Sequence, residues 1–208
     1  MPSGSWSQSD DPVPRGAENR RHTTPCRDYQ EKRSASMNDP EIAKFGGIDS
    51  AAFRTLMRQQ ASTVAVITTG GSSARPGGLT ATAVMSLTAA PASVAVCINK
   101  TASAHDRILE SEKFGVNFLG SDQVHESSVF SDNALRNKRF ELVDWFVSDT
   151  GVALLSGTAA SAACSVAHTV PVFTHTLVLG VVHEVFTSEA SPLIYGDGRY
   201  GRFEQLEN

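Results

Sequence analysis

The sequence has 208 residues, a length typical of one domain, and a formal net charge of −4. This charge excludes the strong basic excess of nucleic-acid-binding proteins, and no basic run marks the chain for an anionic membrane. Its three cysteines lie far apart and form no Cys-x-x-Cys pair, which argues against a disulfide framework and indicates a reducing compartment. The first residues do not combine a basic head with an apolar stretch, so we expect a cytoplasmic protein.

The first forty residues differ in composition from the rest. Val13 is the only Val, Leu, Ile or Phe among them, and five of the nine prolines lie there. Such a segment buries too little apolar area to offset the entropy lost on ordering. We therefore predict a disordered extension over residues 1–47 and a single folded domain over residues 48–208.

The predicted elements of the domain are mostly strands. Asp49 or Ser50 can cap a first helix, in which Phe53, Leu56, Met57 and Gln60 share one face. β-Branched and apolar runs then predict strands over residues 63–69, 79–88, 93–99, 114–119, 153–156, 158–169, 175–186 and 193–203, with short helices over 104–111 and 121–130. Many strands with few helices predict a closed antiparallel barrel rather than a parallel sheet.

Two stretches without Asp, Glu, Lys or Arg, residues 76–99 and 150–183, are each long enough to suggest a membrane span. Pro91 and Pro171 interrupt them, and both are dense in Ser, Thr and Gly. Buried strands joined by short turns explain them better.

Residues 196–201 read Gly-Asp-Gly-Arg-Tyr-Gly, which matches the dinucleotide fingerprint literally. That fingerprint requires a following helix and strand, and only seven residues remain. A hairpin turn with glycine at positive φ is the better interpretation. The six histidines show no zinc-ligand spacing, and no Gly-x-Ser-x-Gly elbow is present, so we predict neither a metal site nor a catalytic dyad.

Residues 78–107 carry the clearest signal of a ligand site. Small residues and hydroxyls over residues 80–86 would let a planar ligand lie against the backbone. Asn99, Lys100, Thr101 and Ser103 follow at a strand-to-helix junction, which favours an anion. The alternative is an ordinary strand–turn–helix with Ser103 as the helix cap.

A series of short pieces, in order, resembles the short-chain flavin reductase family, the small components of two-component flavin-dependent monooxygenases. The similarity is greatest to the reductases that serve aromatic hydroxylases. The matching pieces are Phe53-Arg54, residues 64–69, 78–86, 91–99 with Ser103, 114–119, Phe130-Ser131, Arg139-Phe140, Trp145, Thr174-His175-Thr176 before 177–180, and 192–195 before Tyr200.

The resemblance implies a mainly β fold, a split β-barrel with a Greek-key core and a few short peripheral helices. It also implies a homodimer that transfers hydride from NADH or NADPH to FMN or FAD. The cofactor carries this chemistry, so no catalytic side chain is expected. The implied flavin-binding residues are Thr80, Ala81, Thr82, Ala83, Val84, Ser86, Asn99, Lys100, Thr101, Ser103, Arg107 and Phe130. The implied NAD(P)H-binding residues are His175, Tyr200 and Arg202.

Several points stay open in the sequence. Phe173 stands where the family usually has glycine, and Ala90-Pro91 stands where it often has Pro-Pro. His175 could instead be a half-buried strand histidine. No arginine pocket for a 2′-phosphate is evident, which favours NADH over NADPH, while FMN and FAD are not distinguished. The partner implied is a monooxygenase that receives diffusing reduced flavin, with neither nucleic acid nor membrane involved. The alternatives are a flavin-binding carrier protein and a pyridoxine-phosphate-oxidase-like flavoenzyme that does not release its flavin.

Overall fold

A computed structural model describes residues 46–206 of the chain. The predicted disordered extension therefore lies outside the described residues, apart from Gly46 and Gly47. No helix within residues 46–206 is long and apolar enough to cross a membrane. The two uncharged stretches form strands and turns, as predicted.

The described part of the chain is built mainly from strands. These are β1 (Ser62–Thr63), β2 (Ala65–Thr69), β3 (Gly77–Ala81), β4 (Val84–Ala89), β5 (Ala92–Asn99), β6 (Lys113–Phe118), β7 (Trp145–Val147), β8 (Ala153–Leu155), β9 (Ala160–Val172), β10 (His175–Thr187), β11 (Leu193–Gly196) and β12 (Arg199–Arg202). The helices are α1 (Ser50–Met57), α2 (His105–Ser111) and α3 (Val124–Ser131), with a 3-10 turn at Arg139–Glu141.

One antiparallel sheet of seven strands dominates, in the order β3-β2-β6-β9-β10-β5-β4. Its two end strands, β3 and β4, are consecutive in the chain and are separated only by residues 82 and 83. A two-residue link can join the two end strands only if they lie close together in space. The sheet therefore curves round into a barrel. Smaller sheets, β1-β11-β12 and β7-β8, complete the domain.

The two faces of β2 serve two different cores. Ala65 and Ile67 pack with residues of β5, β6, β9 and β10 in one buried cluster, whereas Val66 and the preceding Val64 pack with α3 residues in another. This is the alternation expected of a strand that is covered on both sides. The seven-stranded sheet is therefore packed on one side by its own interior and on the other by α3, β8 and β11.

Tight packing around β6 leads to a stability prediction. A Cβ on Gly115 would lie 2.6 Å from Leu154 Cδ2 and 3.0 Å from the Ala153 carbonyl oxygen, and it would also meet the Thr68 hydroxyl. We expect Gly115→Ala to lower the free energy of unfolding by about 1–3 kcal/mol through overpacking. Gly201→Ala is the control, because its Cβ would meet no atom within 4 Å. Equal urea midpoints for the two variants would contradict the packing described for Gly115.

The last hairpin confirms the interpretation of the glycine-rich motif. Asp197 and Gly198 join β11 to β12 with φ values of +48° and +74°. Positive φ at both central residues is the requirement of a type I′ turn, for which Asp-Gly is a preferred pair. No helix follows the motif within the described residues, so it serves as a turn.

The helix caps are partly as predicted. Asp49 caps α1, its carboxylate accepting from the amides of Ala51 and Ala52 at 2.7 and 2.9 Å. The possible cap at Ser103 is wrong, because α2 begins after Ala104 and has no side-chain cap. Ser103 instead lies 3.5 Å from Nη1 of Arg139, a partner 36 residues away that local spacing does not reveal.

Cys97 and Cys164 are both free thiols. Burial raises the pKa of Cys164 to about 12, so this side chain behaves as a small apolar group in the barrel core. Cys26 lies outside the described residues.

Candidate functional site

A groove of about 590 Å³ runs between α1 and the short segment that joins β3 to β4. It is lined by Arg54, Met57, Arg58, Gln60, Ser62, Thr82, Ala83, Tyr195, Gly196, Asp197 and Gly198. The amide of Asp197 donates to the carbonyl oxygen of Arg58 at 2.8 Å, which ties the end of α1 to the β11–β12 turn. The groove thus has two fixed walls and a volume within the range of small-molecule sites.

The segment that links the two end strands of the sheet lines this groove. β3 pairs only with β2 and β4 pairs only with β5 among the described residues, so both strands present one edge without a strand partner. Thr82 and Ala83, between them, are exposed. Their small side chains leave room beside this segment for a planar ligand.

The Asn99–Ser103 segment folds back on itself after β5. The Asn99 side-chain oxygen accepts from both the amide and the hydroxyl of Thr101, each at 2.9 Å. The Lys100 amide donates to the Thr174 carbonyl at 3.0 Å, and its ammonium donates to the Phe173 carbonyl at 2.6 Å. The predicted anion segment is therefore fixed against the β9–β10 turn.

The pairing of β5 with β10 brings the predicted nicotinamide residue next to the predicted flavin phosphate segment. β5 and β10 pair so that His175 lies directly opposite Asn99. His175 Nδ1 lies 2.9 Å from the Thr174 hydroxyl, and the side chain is half-buried. The residue predicted for the nicotinamide nucleotide thus neighbours the residues predicted for the flavin phosphate.

Phe173 keeps the tight β9–β10 turn although it replaces the glycine usual in the family. Its φ is +47°, in the left-handed region that favours glycine. The Lys100 ammonium bond to its carbonyl oxygen helps to hold this conformation. The turn that the substitution put in doubt is therefore present.

Thr80 and Tyr200 meet at α3 rather than in the groove. The Thr80 hydroxyl donates to the Ser127 carbonyl at 2.8 Å, and the Ser127 and Tyr200 hydroxyls lie 3.0 Å apart. The Tyr200 ring packs edge-on against Tyr195, with centroids 5.3 Å apart. Since Tyr195 lines the groove, Tyr200 supports its wall.

Phe130, Ser86 and Arg202 are among the predicted residues that do not line the groove. The ring of Phe130 is 1% exposed and packs edge-on against Phe140 in the core, and its contact with flavin stays a prediction. Ser86 is exposed on β4 but does not line the groove. Arg202 lies 3.2 Å from Glu204 in an exposed ion pair beside a separate hollow.

Arg139 is a buried residue whose role the sequence did not indicate. It is 3% exposed, and its guanidinium donates to the carbonyls of Val129, Asp132 and Gly78 at 3.2, 2.8 and 2.6 Å. Burial lowers its pKa, while Asp132 acts in the opposite direction. The side chain fixes the end of α3 to β3. Arg54 and Arg58 were also missed, although their spacing of four on a predicted helix was a usable signal.

No group of three His, Cys, Asp or Glu side chains within residues 46–206 could hold a metal ion. The site consists of an open groove, an unpaired sheet edge and a polar segment suited to an anion. These features would suit a planar, anionic ligand.

Comparison with known proteins identifies the family. Residues 57–204 match the flavin reductase like domain. The FMN reductase (NADH) RutF of Pseudomonas syringae pv. syringae is 35% identical over 162 residues, which cover 77% of this chain and 90% of that protein. The reductase component of the FADH(2)-dependent resorcinol hydroxylase of Rhizobium sp. is 38% identical over 152 residues, covering 71% and 84%. The chain belongs to the flavin reductase like family.

Solved structures agree with the fold. The flavin reductase PheA2 superposes with a TM-score of 0.69 and 31% identity, covering 76% of this chain and all of that one. The Streptomyces globisporus NADH:FAD oxidoreductase SgcE6, solved with NAD and FAD fragments, gives a TM-score of 0.70 and 28% identity, covering 75% and 93%. The predicted family, its flavin reductase enzyme class and the mainly β split-barrel fold are therefore confirmed.

Proposed function

We propose that this chain transfers hydride from NADH to FMN or FAD and releases the reduced flavin to a partner flavin-dependent monooxygenase. The observation that carries the proposal is the pairing of β5 with β10, which sets His175 opposite Asn99. In this register His175, which we propose for the nicotinamide nucleotide, neighbours the segment that we propose for the flavin phosphate. A two-nucleotide reaction requires such neighbouring subsites.

The residues present fit a flavin. The groove beside Thr82 and Ala83 has room for a planar ring. Residues 99–103, with the Lys100 ammonium, would hold its phosphate end. Thr80 and Tyr200 support the groove through Ser127. The flavin, when bound, supplies the ring that accepts the hydride.

The chain's own contribution is therefore binding and orientation. His175 would hydrogen-bond the nicotinamide nucleotide, and residues 81–86 would fix the flavin ring against the sheet edge. Hydride transfer requires the two reacting atoms at about 3–3.5 Å, so placing both nucleotides is the main task of the protein. Backbone amides aimed at the ring would also stabilise charge in the reduced flavin.

The names of the relatives support release of flavin to an oxygenase. One relative is the reductase component of a resorcinol hydroxylase, and BorF, a structural neighbour at 25% identity, is the flavin reductase component of a tryptophan halogenase. We extend this arrangement to the present chain, with a homodimer as its proposed form and reduced flavin diffusing to the partner. We propose no nucleic-acid or membrane partner.

Steady-state assays with each flavin and each nicotinamide nucleotide test the proposal. The absorbance of NADH should fall continuously when FMN or FAD is added in excess, and NADPH should be used less well. A protein that binds flavin and leaves both nucleotides unoxidised would instead be a flavin carrier, the main alternative.

His175→Ala tests the nicotinamide subsite. The loss of one hydrogen bond costs about 0.5–1.5 kcal/mol, or up to roughly tenfold in affinity. We therefore expect the KM for NADH to rise several-fold while flavin affinity stays near that of the wild type. His168→Ala, at an exposed histidine on the neighbouring β9, is the control. A lowered melting temperature with an unchanged KM would make His175 a structural strand residue instead.

A further inference from the structure

A second concave surface lies beside the proposed flavin phosphate segment. This hollow of about 180 Å³ is lined by Arg75, Pro76, Arg136, Asn137, Arg139, Phe140, Glu141 and Trp145. It gathers three arginines and one carboxylate in a chain whose formal net charge is −4. We call it the arginine hollow.

The arginine hollow adjoins the phosphate segment across the buried side chain of Arg139. Arg139 Nη1 lies 3.5 Å from the Ser103 hydroxyl, at the end of that segment. The Arg107 guanidinium, on α2, donates to the carbonyl of Arg75. A ligand phosphate held at residues 99–103 would therefore be separated from the arginine hollow by the side chain of Arg139.

The side chains of the hollow suit an adenylate group. Arg75 and Arg136 are exposed, and guanidinium groups bind phosphate well. Glu141 lies 3.5 Å from Arg75, but both side chains are about two-thirds exposed, so this ion pair is weak and can yield to a phosphate. Trp145 is partly exposed and offers an aromatic surface to a base.

We propose that the arginine hollow binds the adenylate half of FAD, so that this chain takes FAD in preference to FMN. The inference rests on the proposed function, since it requires the flavin phosphate to lie at residues 99–103. Proximity to Ser103 favours the second phosphate of the flavin over a phosphate of the nicotinamide nucleotide, whose subsite is proposed around His175.

The test compares FAD with FMN, by quenching of flavin fluorescence, in single variants of the full chain. Arg75→Ala and Arg136→Ala should each weaken FAD binding roughly tenfold and leave FMN binding unchanged. Glu141→Gln should strengthen FAD binding, because it removes the carboxylate from the hollow. Lys138→Ala is the control: it removes one exposed positive charge from the same segment without touching the hollow.

ADP provides a probe without the flavin ring. It should compete with FAD and leave FMN binding unaffected, and Arg136→Ala should abolish this competition. Equal wild-type affinities for FAD and FMN, or equal losses for both in Arg136→Ala, would overturn the inference. So would a raised KM for NADH or NADPH with FAD affinity unchanged, which would assign the hollow to the nicotinamide nucleotide. A chain that binds neither flavin would refute the proposed function itself, an outcome distinct from these.

Discussion

Thr82→Trp is expected to weaken flavin binding by roughly a hundredfold or more, equivalent to about 2.7 kcal/mol. Thr82 is exposed and lies on the groove between α1 and the β3–β4 segment. An indole there would occupy space that the flavin ring needs, so it obstructs the whole ring rather than removing one contact. Because the side chain points to open space, the cost to folding should be small.

Thr187→Trp is the matched control for this substitution. Thr187 is an exposed threonine at the end of β10 and does not line the groove. Flavin affinity measured by fluorescence quenching, beside a thermal melt of each protein, separates the two positions. Wild-type flavin affinity in a folded Thr82→Trp protein would move the flavin ring away from this groove.

Arg139→Ala is expected to lower the free energy of unfolding by about 3 kcal/mol or more. The substitution leaves the carbonyls of Gly78, Val129 and Asp132 without their guanidinium donor. A buried acceptor without a partner costs about 1–3 kcal/mol. Arg139→Lys should recover only part of the loss, because an ammonium lacks the planar fork that reaches several acceptors at once.

Arg136→Ala serves as the control for stability, since its side chain is exposed on the same loop. A surface substitution of this kind changes stability by about 0.5 kcal/mol at most. Urea denaturation of the three variants gives the comparison. If Arg139→Ala unfolded at the wild-type urea concentration, α3 would not depend on this residue for its attachment to β3.

Much of the fold could be predicted because it follows from local pattern. The uncharged β-branched runs became strands, and the Asp197-Gly198 pair became the turn that such a pair favours. The predicted strand over residues 79–88 is divided into β3 and β4 at residues 82–83. The apolar pattern continues through that break, and only the closure of the barrel reveals it.

Less of the candidate site than of the fold could be predicted from the sequence. Hydroxyls and small residues marked the segments 80–86 and 99–103, but their meaning as flavin sites came from the family resemblance. Long-range contacts could not be predicted: Ser103 has the spacing of a helix cap and instead lies beside Arg139, thirty-six residues along the chain. The groove wall formed by α1 and the last hairpin depends on contacts between residues more than a hundred positions apart.

The central claim is that flavin is reduced and then leaves. The most direct measurement is anaerobic reduction of excess flavin by NADH with a small amount of protein, followed by flavin absorbance. We expect each chain to reduce many equivalents of flavin, because the groove is open and the reduced product is released. Reduction that stops at one flavin per chain, or that does not occur, would contradict it.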